Sequence, residues 1–320
     1  MFTFPIGFMG DAGAGGGIPT EYEYNSYGDT DFVVPVGITH IWVKMWGAAG
    51  GTSPPYLGTA AKGGAGAFVK TLLPVTAGET LRVTCGQGGC ERGSPYTAER
   101  GGGTNGSGAN SGEFGGGGGG FSAVYRYSDT SYLAIAGAGG GAGRKASASA
   151  SDSTCKGGAG GSTAGENGSG GYATAGGGAT TSAGGSAGSG IGFSVTAPTD
   201  EPTAGSSLNG GVAGHDNDQT NTGGGGGGGG GYYGGGGGGA STGLLGGIAS
   251  GAGGGGGSSL YGVSGSFYSA SIGGTADLPD ASDADYPSGG VATGNTTGIG
   301  GDGYVKIYTY TSLPAEIDLP

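Results

Sequence analysis

The chain has 320 residues, 92 of them glycine and 13 proline, and a formal net charge of −12 with only 11 lysines and arginines. That balance leaves no basic patch for nucleic acid and disfavours docking to an anionic membrane surface. Glycine plus proline at about a third of the residues usually marks disorder, but 17 tyrosines, 9 phenylalanines and 2 tryptophans argue for packed structure.

Residues 1–19 read as a glycine-rich arm with an apolar start. Phe2, Phe4 and Phe8 fall on one period-two face, together with Ile6, and are candidate anchors to a neighbouring protein. The start lacks a basic region, and Pro5 and Gly7 break its apolar run, so it does not read as a secretory signal. The expectation is a protein that stays where it is made or leaves as part of a particle. No stretch approaches the ~18 apolar residues of a membrane-spanning helix.

From residue 20 the pattern changes to strands. Glu21–Tyr27 alternates and is followed by an expected turn at Gly28–Asp29. Phe32–Val36 and Ile38–Trp46 are β-branched and aromatic runs bounded by glycine and proline, which predicts strands. In the second run Ile41, Val43 and Met45 share one face and Trp42 and Trp46 the other, so both faces are expected to be buried. Further strands are predicted at 66–72, 80–85, 121–127, 132–136 and 303–310, with a turn at Ala77–Gly78 and a hairpin through Ser128–Thr130. Short strands are expected at Ile191–Val195 and from Tyr261 to Tyr268, and the acidic stretch Asp277–Asp285 reads as a surface loop. No window has helical periodicity.

Between these strands lie the glycine runs. Gly223–Gly239 has nine glycines, Tyr232–Tyr233 and six more glycines; shorter runs occupy 115–120, 137–143, 176–178 and 253–257. A lone run behaves as a flexible tether, because each ordered glycine costs roughly 0.5–1 kcal/mol more than alanine. Several runs side by side can order, since without Cβ atoms their backbones approach closely and satisfy one another's N–H and C=O groups. Interruption by alanine, serine and threonine, the smallest side chains, favours such a lattice.

Chemistry-bearing residues are few. Cys85 and Cys90 flank Gly-Gln-Gly-Gly, which could turn and bring them together; one bridge and free thiols both stay open, with Cys155 left over. Three cysteines without paired histidines do not make a zinc site. His40 lies within a predicted strand, and His215-Asp216-Asn217-Asp218 lacks the spacing of a calcium loop. No nucleophile elbow or phosphate loop is present. The expectation is a non-enzymatic protein with no cofactor and no metal.

The segment Val34–Thr39 followed by Ile41–Gly51, then Gly63–Ala67, Val83–Gly89, Gly115–Phe121, Leu133–Gly141 and Gly301–Ile307, resembles in order the glycine-rich domain of the anaplastic lymphoma kinase and leukocyte tyrosine kinase receptors, a domain type also found in phage and large DNA virus proteins. The resemblance covers about residues 20–145 and 300–310. It implies an all-β, jelly-roll-like (tumour-necrosis-factor-like) β-sandwich with an inserted polyglycine II helix bundle. Predicted strands at both ends put the glycine-rich middle inside one domain over 20–312, with glycine-rich insertions at about 101–120, 137–190 and 223–257, and a tail at 313–320. The receptors' membrane span and kinase are absent here, so cytokine binding is not carried over. The functional expectation is a structural protein of a virion, as a minor capsid, capsid-surface or fibre component. Its partners would be other virion or fibre proteins or copies of itself, without nucleic acid or membrane insertion. The alternative is an extracellular adhesin at a fibre tip, whose loops and Tyr232 and Tyr233 bind a host glycan or receptor.

Overall fold

β-Branched and aromatic residues fill the regular elements, and the small residues fill everything between them. The computed structural model describes residues 19–53, 60–90, 98, 100–103, 114–144, 155–170, 172–192, 201–215, 222–242, 250–261, 268–271, 283–287, 292–293 and 298–311. No helix occurs among them. In chain order the strands are β1 (Thr20–Tyr24), β2 (Gly28–Val33), β3 (His40–Trp46), β4 (Phe68–Pro74), β5 (Thr80–Cys85), β6 (Ser122–Arg126) and β7 (Tyr132–Ala136). They continue as β8 (Ile191–Gly192), β9 (Ser207–Leu208), β10 (Thr222–Gly223), β11 (Gly231–Tyr233), β12 (Ser241–Thr242), β13 (Leu260–Tyr261), β14 (Tyr268–Ser271) and β15 (Tyr304–Thr309).

Two five-stranded sheets carry the ordinary core. One has the order β1-β15-β3-β4-β14 and the other β13-β7-β6-β5-β2, with every neighbour antiparallel. They meet in a sandwich-like arrangement. Ile41, Val43, Met45, Val69, Leu73, Val305 and Ile307 of the first sheet form one buried cluster with Phe32, Leu81, Val83, Val124 and Leu133 of the second. Each such aliphatic side chain is worth about 1.5–3 kcal/mol of burial. The two-faced reading of β3 holds, because its other face is also covered. Trp42 packs with Leu72, Tyr308 and Tyr310, and Trp46 with Phe68, Tyr304 and Ala292.

Turn chemistry matches the sequence at two places. Between β4 and β5, Gly78 adopts φ +82°, where a side chain would be strained, and Glu79 N–H donates to Thr76 C=O. Between β6 and β7, the Asp129 carboxylate accepts from the Ser131 N–H at 3.0 Å. One boundary needs correction. Gly28–Asp29 is not a turn but the start of β2; the bend falls at Ser26–Tyr27. Asp29 is held in the strand by Thr84 Oγ1 at 2.6 Å and by ion pairs to Arg82 and Arg100. Of the two expected short strands, only Ile191–Gly192 and Leu260–Tyr261 with Tyr268–Ser271 are seen; residues 193–200 and 262–267 lie outside the described residues.

Seven sandwich strands run into glycine-rich segments at one end of the sheets. Segments 47–53, 86–90 and 137–144 follow β3, β5 and β7, while 63–67, 114–121, 250–259 and 298–303 precede β4, β6, β13 and β15. Hydrogen bonds knit them across both sheets: Gly47 N–H to Ala67 C=O, Ala67 N–H to Gly137 C=O, Ala48 N–H to Gly120 C=O and Gly303 N–H to Gly86 C=O. The sandwich thus holds seven segments side by side, which lowers the chain entropy lost in ordering them.

Candidate functional site

The feature that sets this molecule apart is the hydrogen-bonded glycine lattice beyond the sheets, with segment 223–231 at its centre. Its donors return to the same neighbour every third residue, not every second as in a strand. Gly225 and Gly228 donate to Gly214 and Gly211, Gly226 and Gly229 to Ala252 and Gly255, and Gly227 and Gly230 to Gly116 and Gly119. Its carbonyls repeat the rule. Gly224, Gly227 and Gly230 accept from Arg144, Gly141 and Ala138; Gly226 and Gly229 accept from Gly238 and Gly235; Gly228 accepts from Gly103. Six segments therefore surround this one, and 224–230 is buried throughout. The run is a bonded core, not a solvated tether.

No side chain fits between such neighbours. A Cβ on Gly228 would lie 2.0 Å from the carbonyl oxygen of Gly235, and one on Gly254 2.2 Å from that of Gly227. Where the pattern permits a methyl group the chain uses alanine: Ala138, Ala142, Ala159, Ala179, Ala240 and Ala252 are all fully buried. A net gain of about 0.5–1.5 kcal/mol per intramolecular hydrogen bond is comparable to the entropic penalty of each glycine. The lattice closes only because nearly every backbone group finds a partner.

Tyr232 and Tyr233 sit at the seam between lattice and sheet. Tyr232 packs on the buried cluster of Phe121, Ala123 and Ile135, beside Leu208 and Leu260, and its ring meets that of Tyr233 edge-on at 5.2 Å. Both are half-buried, and β11 pairs with β9 there. Phe2, Phe4 and Phe8 lie outside the described residues. Cys85, Cys90 and Cys155 are thiols outside any disulfide, so of the two open alternatives the structure has no Cys85–Cys90 bridge. The reason is local. Gly86–Cys90 does not turn but runs on as a lattice segment, with Gly86 and Gly89 accepting from Gly303 and Gly300, and Gln87 and Cys90 accepting from Gly120 and Gly117. Burial pushes the Cys85 thiol up to about 12, and it raises that of Cys90 as well.

A second constellation was not read from sequence. On the outer face of the first sheet Lys44 and Lys306 stand directly opposite each other in register. Two like charges so placed repel, and residues 283–285 answer them. Lys44 Nζ, fully buried, donates to Asp283 Oδ1 at 2.8 Å and to Asp285 Oδ2 at 2.5 Å. Lys306 Nζ reaches Asp285 Oδ1 at 2.8 Å, Glu21 at 3.0 Å and Glu23 at 3.3 Å. Burial opposes ionisation of Asp285, but hydrogen bonds from Lys306, Lys44 and Tyr308 outweigh it and lower its pKa to about 2. Burial would likewise lower the Lys306 pKa; bonds to Asp285 and Glu21 raise it instead. The expected surface loop is therefore corrected at its end: Asp283 and Asp285 are nearly buried, while residues 277–282 lie outside the described residues. The available signal was a lysine in the middle of a strand whose two faces are otherwise apolar.

His40 Nδ1 lies 3.0 Å from Thr39 Oγ1, and residues 216–218 of the histidine–aspartate stretch lie outside the described residues. Among the described residues no three His, Cys, Asp or Glu side chains gather to hold a metal ion, and no helix is long and apolar enough to cross a membrane. No protein-family model and no curated protein matches this chain.

Proposed function

We propose that this chain is a non-enzymatic structural component of a virus particle, at the capsid, its surface or a fibre, whose rigid glycine core serves assembly. In this reading the sandwich is jelly-roll-like and the lattice segments are polyglycine II helices, as in the glycine-rich domain that the sequence resembles. The observation that carries the reading is the period-three bonding of 223–231 to six neighbours. A threefold extended helix spaces its donors and acceptors in that way, and a body so bonded is stiff without offering a reactive group. Its partners would be other particle proteins or further copies of the chain.

The adhesin reading is weaker at the residues first assigned to it. Tyr232 and Tyr233 are engaged at the seam, where they serve packing. Quantitative mass spectrometry of purified particles tests the proposal: many copies per particle are expected, and absence from particles would overturn it. Hydrogen exchange tests the helical bundle separately. Amides of 223–239 are expected to be protected as strongly as those of β3, and exchange at the free-peptide rate would remove the bundle from the reading.

A further inference from the structure

We propose that Lys44 and Asp283 condense to an isopeptide bond inside the folded chain, with Asp285 as the proton relay. The inference rests on the geometry of the outer-face cluster and stands whether or not the chain belongs to a particle.

Lys44 Nζ is fully buried, and its two hydrogen-bond partners are the carboxylates of Asp283 and Asp285. Trp42 and Trp46 flank it on the same face of β3, and Trp46 is covered by Phe68, Tyr304 and Tyr286. Exclusion of water removes the solvent that would hydrolyse the product. Fixed contact replaces a bimolecular encounter between amine and acid.

The two carboxylates are not equivalent. Asp285 has both oxygens engaged, Oδ1 by Lys306 and Oδ2 by Lys44, so it is held in place to relay a proton and is not the electrophile. Asp283 is bonded at Oδ1 alone, by Lys44 Nζ and by the Asp285 backbone N–H at 2.9 Å. Among the described residues its Oδ2 has no hydrogen-bond partner, so it is the oxygen that leaves. Asp285 takes a proton from the Lys44 ammonium and passes it to Asp283 Oδ2. The freed Nζ lone pair attacks Asp283 Cγ while the Asp285 N–H donates to the oxygen that gains negative charge. A second proton moves from nitrogen to the departing oxygen, the Cγ–Oδ2 bond breaks and water leaves. One N–C bond forms, one C–O bond breaks, and nothing is oxidised or reduced. The product joins the middle of the first sheet to a segment 239 positions away.

The intact mass of the purified full chain, measured under denaturing conditions, is the first test. The expected mass lies one water below that of the sequence, and proteolysis should release a branched peptide joining Lys44 to Asp283. A full-length mass with the Lys44 peptide recovered free would overturn the proposal. So would a lost water that maps elsewhere, such as a succinimide at Asp302-Gly303. Lys44→Arg and Asp283→Ala are expected to restore the full mass. Asp285→Asn, which keeps the shape and loses the basicity, is expected to leave the bond unformed in a protein whose near-ultraviolet circular dichroism is native. A linked Asp285→Asn protein would overturn the role given to Asp285.

Discussion

The sandwich and the glycine lattice solve the same burial problem in opposite ways. Between the sheets, Ile41, Val43, Leu81, Val124 and Ile307 remove side-chain surface from water, and the backbone is bonded along regular ladders. In the lattice there are almost no side chains to bury, and the backbone itself is the packing surface. The sandwich draws its stability from the hydrophobic effect, which tolerates changes of shape at moderate cost. The lattice depends on the closeness of bonded backbones, which tolerates no added atom at glycines such as Gly228 and Gly254. The difference teaches where this chain is fragile: its least decorated residues are its most constrained.

That contrast can be broken most directly at Gly228. Gly228→Ala is expected to cost about 4 kcal/mol or more, because the new Cβ meets the Gly235 carbonyl carbon as well as its oxygen and both segments are fixed by other neighbours. Chemical denaturation would measure it, and a loss under 1 kcal/mol on this estimate would mean that the segments slide freely. Leu81→Ala, fully buried between the sheets, is expected to cost about 3 kcal/mol while leaving the denaturation cooperative. A larger loss than for Gly228→Ala would reverse the ranking of the two regions.

The outer-face cluster sharpens the comparison through pH. Asp285 has its folded pKa lowered to about 2 from an ordinary 3.8. Its contribution is therefore present above about pH 4 and is lost as pH falls toward 2, on the order of 1–2 kcal/mol after allowance for partial exposure. In the Lys44→Arg background, which keeps the cation and cannot form the amide, Asp285→Asn should flatten that part of the stability profile, and an unchanged acid limb would show that other carboxylates govern it. The smallest effect belongs to a glycine outside the lattice. Gly78→Ala meets nothing within 4 Å, so only its φ of +82° opposes the change, at a cost of about 1 kcal/mol. Thermal melting that ranked Gly78→Ala with Gly228→Ala would mean that conformation, not proximity, explains why the lattice is glycine.

The amino-acid sequence by itself determined the local elements. Alternation of Ile41, Val43 and Met45 against Trp42 and Trp46 declared a strand buried on both faces, because period two separates the faces without reference to any partner. Gly78 and the Ser128–Thr130 turn declared their connections for similarly local reasons. Tertiary structure alone decided the rest. Gly86–Cys90 could have turned or run straight, and it runs straight because N–H groups of segments 117–120 and 300–303 donate to its carbonyls. Asp283 and Asp285 read as solvated until Lys44, 239 positions from Asp283, and Lys306 drew them onto the sheet. Above all, a run of nine glycines has no side chain to encode its own conformation. Whether it is a tether or a core depends wholly on which backbones lie beside it: three are strand extensions of the sandwich (114–121, 137–144 and 250–259), and 103, 211–214 and 235–238 complete the surround.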